Sequence, residues 1–143
     1  MINEHRYRYR DLKPQQKQDS TESPRFEDID DLIRRFNQET ATTGLDGRII
    51  TIESVAYEAS QDWKIDANIS LSYFSNKNVF ILRIFYEQGE VTHDQIGIED
   101  FAPTLITKAT FFKRPQFETL DRVIERASVW LRRHSRYRFV NAQ

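Results

Sequence analysis

The residues best suited to chemistry in this sequence are arginines that alternate with aromatic side chains in two short segments. One segment covers residues 6–10, and the other follows Leu131. Guanidinium groups bind phosphate or carboxylate in a bidentate manner, and aromatic rings stack on bases or on guanidinium planes. Both segments are therefore candidate sites for an anionic partner. The candidate binding residues are Arg132, Arg133, Arg136, Tyr137 and Arg138, together with Arg6, Tyr7, Arg8, Tyr9 and Arg10 in an N-terminal arm.

Both segments also have a purely structural explanation. Cations in the last turn of a helix complement its dipole, each contributing about 0.3 to 1 kcal/mol. We favour that explanation for Arg132 and Arg133, while Tyr137 and Phe139 could be core residues of a last short strand. The N-terminal segment could be a solvated tail or an added edge strand, and we favour the tail.

The remaining polar residues lack the patterns of catalytic or metal sites. His5, His93 and His134 do not show metal-ligand spacing. His93 and Asp94 could form an acid–base pair, but neighbours in a strand point to opposite faces. The acidic cluster at residues 27–31 lacks the glycine and ligand order of a calcium loop, and with four glycines there is no phosphate-binding loop. We therefore expect a protein that is not an enzyme, with no catalytic residues, metal or cofactor.

Composition and charge limit the cellular setting. A chain of 143 residues predicts one domain, and the absence of cysteine is compatible with a reducing compartment. There is no apolar run of roughly 20 residues and no secretory signal, so we expect a soluble cytoplasmic protein without membrane association. Residues 1–25 carry a net charge of +2, residues 26–112 −8 and residues 113–143 +5. The basic end could attract an anionic partner or simply neutralise the acidic middle.

Hydrophobic periodicity predicts an α+β fold. We expect a long C-terminal helix opening at Pro115, whose apolar stripe runs from Phe117 to Leu131 and packs on one face of a sheet. A shorter N-terminal helix should open at Ser23-Pro24. Between them, the sheet should be an antiparallel meander of four to six strands, with a bulge near residues 53–54. The predicted strands cover residues 49–57, 63–73, 79–87, 91–98 and 105–112, with a turn at 88–90 and a last short strand at 137–140.

The domain prediction is a disordered polar and basic arm over residues 1–22, followed by a single globular domain over residues 23–143. For function we expect a non-catalytic protein–protein interaction or assembly domain that uses a sheet edge and the charge-asymmetric surface, with self-association into a homo-oligomer among its forms. One alternative is nucleic-acid or polyanion binding through the Arg/aromatic segments. The other is binding of a small apolar ligand between sheet and helix.

Overall fold

A computed structural model describes residues 6–17, 25–58 and 78–143 of the chain. The chain divides into two compact units, where the sequence predicts one domain over residues 23–143. Unit 1 comprises Met1–Gly97 and Val140–Gln143, and unit 2 comprises Ile98–Phe139. In chain order, unit 2 is thus inserted between two segments of unit 1.

The described elements of unit 1 are mostly strands. They are β1 (Tyr7–Leu12), β2 (Gln16–Lys17), β3 (Arg25–Phe26), α1 (Ile29–Thr43), β4 (Leu45–Glu58) and β5 (Asn78–Thr92). The main sheet is antiparallel with the order β1-β5-β4, and β2 pairs with β3. The fold is α+β with an antiparallel sheet, as expected. The described main sheet has three strands rather than four to six, and the strand predicted over residues 63–73 lies outside the described residues.

β5 is the central strand because it is apolar on both faces. Leu82 and Ile84 lie in the core beside α1, while Val79 and Ile81, at the opposite parity, are also buried. In the described sheet, β5 accordingly lies between β1 and β4. The turn predicted at residues 88–90 and the separate strand at 91–98 are wrong, since the pairing of β5 with β4 continues to Thr92. The irregularities of that pairing fall at Leu45/Gly47 and Ile49/Thr51, not near residue 53.

β1 corrects the expectation of a disordered arm for residues 7–12. Leu12 is 2% exposed and belongs to the core. The Arg83 guanidinium on β5 donates to both carboxylate oxygens of Asp11, at 2.8 and 2.9 Å, and lies 4.8 Å from the ring centroid of Tyr9. The segment is ordered because these contacts come from β5, more than 70 residues later in the chain. Residues 1–5 and 18–22 of the expected arm are outside the described part.

α1 begins at Ile29, five residues after Pro24, because Asp28 supplies the N-cap. The Asp28 side chain accepts from the Asp31 amide at 2.9 Å, and the Asp31 side chain accepts from the Asp28 amide at 3.3 Å. This reciprocal capping satisfies two amides that would otherwise lack partners. The helix ends at Gly44, whose φ of 76° favours glycine. On its apolar face, Leu32 and Phe36 are fully buried.

Side chains of α1 also fix the segment that follows β5. Asn37 donates to the Ile96 carbonyl oxygen at 2.9 Å and accepts from the Ile96 amide at 2.8 Å. The Nδ1 atom of His93 lies 2.7 Å from the Thr40 carbonyl oxygen. Ile96 is 9% exposed and joins the core, so these bonds hold the segment of residues 93–96 against α1. The 2.7 Å contact of the His93 ring is thus with Thr40 of the helix and not with Asp94.

Side-chain amides cover part of the outer edge of β4. Asn141 accepts from the Ile52 amide at 3.2 Å and donates to the Ile52 carbonyl oxygen at 2.8 Å. Gln143 accepts from the Ser54 amide at 2.9 Å, and Val140 packs against the core. The short strand predicted at residues 137–140 is therefore wrong. An amide side chain offers one donor and one acceptor direction, as a peptide group does, and so replaces a strand at these positions.

Unit 2 consists of a short hairpin followed by a helix: β6 (Leu105–Thr107), β7 (Gln116–Phe117) and α2 (Leu120–Arg133). The predicted strand over residues 105–112 is thus three residues long. The prediction that the helix opens at Pro115 is wrong, because residues 116–117 pair with β6. α2 has 14 residues and α1 has 15, so the C-terminal helix is not the longer one.

The apolar stripe of α2 is only partly covered. Val123 is 8% exposed, whereas Leu120 is 73% and Ile124 53% exposed. Periodicity predicted a stripe covered along its whole length, and this is wrong for the N-terminal half of the helix.

Candidate functional site

The two Arg/aromatic segments differ in the partners that they find. Arg6, the residue before β1, pairs with Glu87. Within β1, Arg10 pairs with Glu39, and Arg8 donates to the Gln88 side chain at 3.0 Å. These arginines thus have partners from their own unit. Tyr7 and Tyr9 are exposed on the same strand, and Tyr9 lies 6.0 Å from the ring of Phe85. The structure therefore gives this segment a role in holding the edge strand.

The arginines after Leu131 have fewer such contacts. Arg132 and Arg133 are exposed in the last turn of α2, and their side chains form no ion pair or hydrogen bond with the described residues. The Arg136 guanidinium lies 4.9 Å from the ring centroid of Tyr137, and its Nη2 atom donates to the Tyr137 hydroxyl at 2.9 Å. Arg138 is exposed. Arg132 and Arg133 are thus exposed, without a carboxylate partner among the described residues.

A cavity of 520 Å³ opens on the C-terminal half of α2 and brings one of these arginines beside aromatic rings. Its volume is within the range of small-ligand sites. Arg133 is the candidate arginine that it includes, and Arg132, Arg136 and Arg138 are not part of its wall. The lining comprises the apolar and aromatic residues Phe101, Val129, Trp130 and His134 with the charged residues Glu118, Arg122, Glu125, Arg126 and Arg133.

Three nearly parallel rings cluster at the end of α2. The ring centroids of Trp130 and His134 are 4.1 Å apart with an interplanar angle of 20°, and the Tyr137 ring lies 5.8 Å from Trp130 and 6.0 Å from His134. The Nδ1 atom of His134 lies 2.7 Å from the Trp130 carbonyl oxygen. The edge of Phe101 meets Trp130 at 6.1 Å. Because the histidine is fixed to the helix terminus, the aromatic side of the cavity is preorganised.

The carboxylates of the cavity are already paired. Glu118 accepts from Arg126 at 3.0 and 2.8 Å and from the Thr104 amide at 3.1 Å. Hydrogen bonding from Arg126 lowers the pKa of the Glu118 carboxyl, so this group stays ionised near neutral pH. Glu125 pairs with Arg122 at 3.0 Å. Arg133 thus remains as the cavity cation without a carboxylate partner among the described residues.

The tip of the β6–β7 hairpin forms a second distinctive feature of unit 2. Thr110 and Lys113 exchange backbone hydrogen bonds of 2.9 and 3.3 Å, which closes a tight turn. Phe111 and Phe112 occupy this turn, 5.1 Å apart in an edge-to-face arrangement, and are 96% and 91% exposed. The turn therefore presents two phenyl rings together, almost entirely in solvent.

Further apolar side chains of the same unit are exposed near the hairpin in sequence. Leu105 and Phe117 face one another across the strand pair, and both are about half exposed. We call the exposed apolar side chains of the hairpin and of the first turns of α2 the apolar surface of unit 2. Its members are Leu105, Ile106, Phe111, Phe112, Phe117, Leu120 and Ile124.

Sequence reasoning missed the cavity residues Phe101, Trp130 and His134, and the pair at the hairpin tip. Trp130, His134 and Tyr137 are spaced by four and three residues, which is helical spacing and could have indicated that their rings lie together. Trp130 was instead assigned to the core stripe. The exposure of Phe111 and Phe112 has no comparable sequence signal, because alternation predicts a strand through them.

No protein-family model, curated protein or solved structure matches this chain. In the described ranges, no group of three or more His, Cys, Asp or Glu side chains could hold a metal ion. Within the same ranges, neither helix is long and apolar enough to cross a membrane.

Proposed function

We propose that this chain is a protein-interaction module that assembles with further copies of itself through the apolar surface of unit 2. The observation that carries the proposal is the exposure of Phe111 and Phe112, at 96% and 91%. Exposed apolar patches that are larger than scattered single residues mark interaction sites in soluble proteins. Aromatic side chains on a preorganised turn are well suited to this, because little conformational entropy is lost when they are buried.

Charge favours a second copy as the partner. Unit 2 contains nine Lys or Arg and five Asp or Glu, for a net charge of +4, while unit 1 contains twelve and seventeen, for a net charge of −5. Two unit 2 surfaces would repel one another, whereas unit 2 of one copy is attracted to unit 1 of another. Such a contact joins unlike surfaces, so association continues past a dimer unless it closes into a ring.

The sheet edges are less suitable contacts. Arg8 and Arg10 lie on β1, and charged side chains on an edge strand discourage pairing with another chain. The outer edge of β4 is occupied at Ile52 and Ser54 by Asn141 and Gln143. The sequence predicts contacts through a sheet edge and a charge-asymmetric surface. We retain the charge-asymmetric surface and propose the apolar surface of unit 2 in place of the sheet edge.

The test compares sedimentation of the wild-type chain with that of the double variant Phe111→Ser/Phe112→Ser over a wide range of protein concentration. Burial of each phenyl ring contributes about 1.5 to 3 kcal/mol, so the double variant should weaken association by two orders of magnitude or more. Added salt should also weaken association of the wild type, since unlike charges meet. The variant should keep its fold, because both side chains are solvent-exposed.

Tyr7→Ser is the matched control, since Tyr7 is a 72% exposed aromatic residue of unit 1. It should leave association unchanged. A wild-type chain that remains monomeric at all concentrations contradicts the proposal. Loss of association in Tyr7→Ser, with retention in the double variant, would instead assign the contact to the sheet edge.

A further inference from the structure

We infer that the cavity on α2 is a nucleotide-binding site, in which the aromatic wall formed by Phe101, Trp130 and His134 holds the base and Arg133 binds the phosphate. This inference is independent of self-association, because the cavity residues and the hairpin tip do not overlap. The ligand class is a planar aromatic base that carries at least one phosphate.

The aromatic wall supplies the first part of this specificity. Phe101, Trp130 and His134 line the cavity, and His134 is locked against Trp130 by the ring stacking at 4.1 Å and the bond to the Trp130 carbonyl oxygen. Nucleobases bind such rings by stacking, which tolerates any base because every base has a π face. The cavity volume of 520 Å³ is sufficient for one nucleotide.

The charged wall supplies the second part. Glu118 and Glu125 are paired with Arg126 and Arg122, so neither carboxylate is left to repel an incoming phosphate at close range. Arg133 lines the same cavity without a carboxylate partner among the described residues. A guanidinium fork binds phosphate through two parallel hydrogen bonds.

This charge distribution argues against the apolar ligand considered from the sequence. Five of the nine lining residues carry charged side chains, and a purely apolar molecule would offer no counter-charge to Arg133. A ligand with one stacking face and one anionic group satisfies both walls.

The experiment uses the fluorescence of Trp130 in the full chain. Of the two tryptophans, Trp63 is replaced by phenylalanine so that Trp130 is the sole reporter. Adenosine 5′-monophosphate should quench its emission in a saturable manner, while adenosine and inorganic phosphate bind at least about tenfold more weakly. Binding of a fluorescently labelled single-stranded thymidine 12-mer is measured by anisotropy. This measurement shows whether the site binds a free nucleotide or a nucleotide within a single strand.

Arg133→Gln should weaken binding of the monophosphate by about tenfold or more. Arg132→Gln is the matched control, since Arg132 is the neighbouring exposed arginine but does not line the cavity. Equal losses in the two variants would overturn the inference by showing a general charge effect. The inference would also be overturned if the monophosphate caused no quenching and the 12-mer no change in anisotropy, or if inorganic phosphate bound as tightly as the monophosphate.

The same titration in the Phe111→Ser/Phe112→Ser background separates this inference from the proposed assembly. Nucleotide binding should be unchanged there. Binding that is lost together with self-association would show that the cavity acts only within the assembly, which contradicts the inference as stated.

Discussion

Replacing Asn37 by alanine would isolate the contact that holds the Ile96 segment against α1. The Asn37 amide makes two hydrogen bonds to the backbone of Ile96, at 2.9 and 2.8 Å, and Ile96 is 9% exposed. Each such bond contributes a net of about 0.5 to 1.5 kcal/mol, so the pair is worth about 1 to 3 kcal/mol. Alanine has the higher helix propensity and returns up to about 0.7 kcal/mol. The expected net loss of stability is therefore about 0.3 to 3 kcal/mol.

The assay is native-state hydrogen exchange of the core amides of β4 and β5, which reports on unit 1 separately from unit 2. The Ile96 amide should also lose its own protection in Asn37→Ala. Gln38→Ala is the control, because Gln38 is the adjacent exposed position of α1 and should change stability by less than about 0.5 kcal/mol.

Asn37→Asp sharpens the same test. The aspartate can still accept from the Ile96 amide, but its ionised form cannot donate to the Ile96 carbonyl oxygen. Protonation restores a donor, so the destabilisation relative to wild type should be smaller below about pH 4 than at pH 7. An Asn37→Ala variant no less stable than Gln38→Ala, with a protected Ile96 amide, would refute the reasoning.

Two further predictions concern the sheet. In Gly47→Ala, the new Cβ would lie 2.1 Å from the Glu87 carbonyl oxygen, at a φ of 153° that disfavours side chains. We expect a loss of more than about 1 kcal/mol in urea denaturation, whereas Gly89→Ala, with open space around it, should be near neutral. Hydrogen bonding from Arg83 lowers the pKa of Asp11, so its stabilisation is present above the unfolded pKa of about 3.9 and is lost as pH falls through the lower folded pKa. Asp11→Asn should thus be less stable than wild type at pH 7, and the difference should shrink below about pH 4; a difference independent of pH would exclude this contribution.

The local sequence pattern was sufficient to predict which face of an element is buried, because that depends on the residues of the element itself. The two-sided apolar run of β5 predicts a central strand, and Leu32 and Phe36 indicate the buried face of α1. Boundaries were harder, since Ser23 before Pro24 has the same capping chemistry as Asp28, and only the reciprocal bonds with Asp31 select the latter. Periodicity also showed that α2 is amphipathic, but it does not reveal that Leu120 and Ile124 stay exposed.

The candidate site shows a similar limit. Residues 6–10 and 132–138 have nearly the same local chemistry, yet the first segment is held by Glu39 and Glu87 while Arg133 borders a cavity. Glu87 lies some eighty residues from Arg6, and no local pattern reports a partner at that distance. Phe101 reaches Trp130 across a shorter gap of nearly thirty residues, and the aromatic wall is likewise a product of tertiary folding.

The amide cover of β4 has a consequence for synthesis of the chain. Asn141 follows Ile52 by 89 residues. At translation rates of about 5 to 20 residues per second, Asn141 is therefore synthesised roughly 4 to 18 seconds after the strand edge that it covers. During that interval the edge is a template for pairing with other nascent chains. Arg48 and Glu53, exposed on the same strand, place charge beside the waiting edge. These charges disfavour pairing of β4 with another chain before Asn141 and Gln143 have been synthesised.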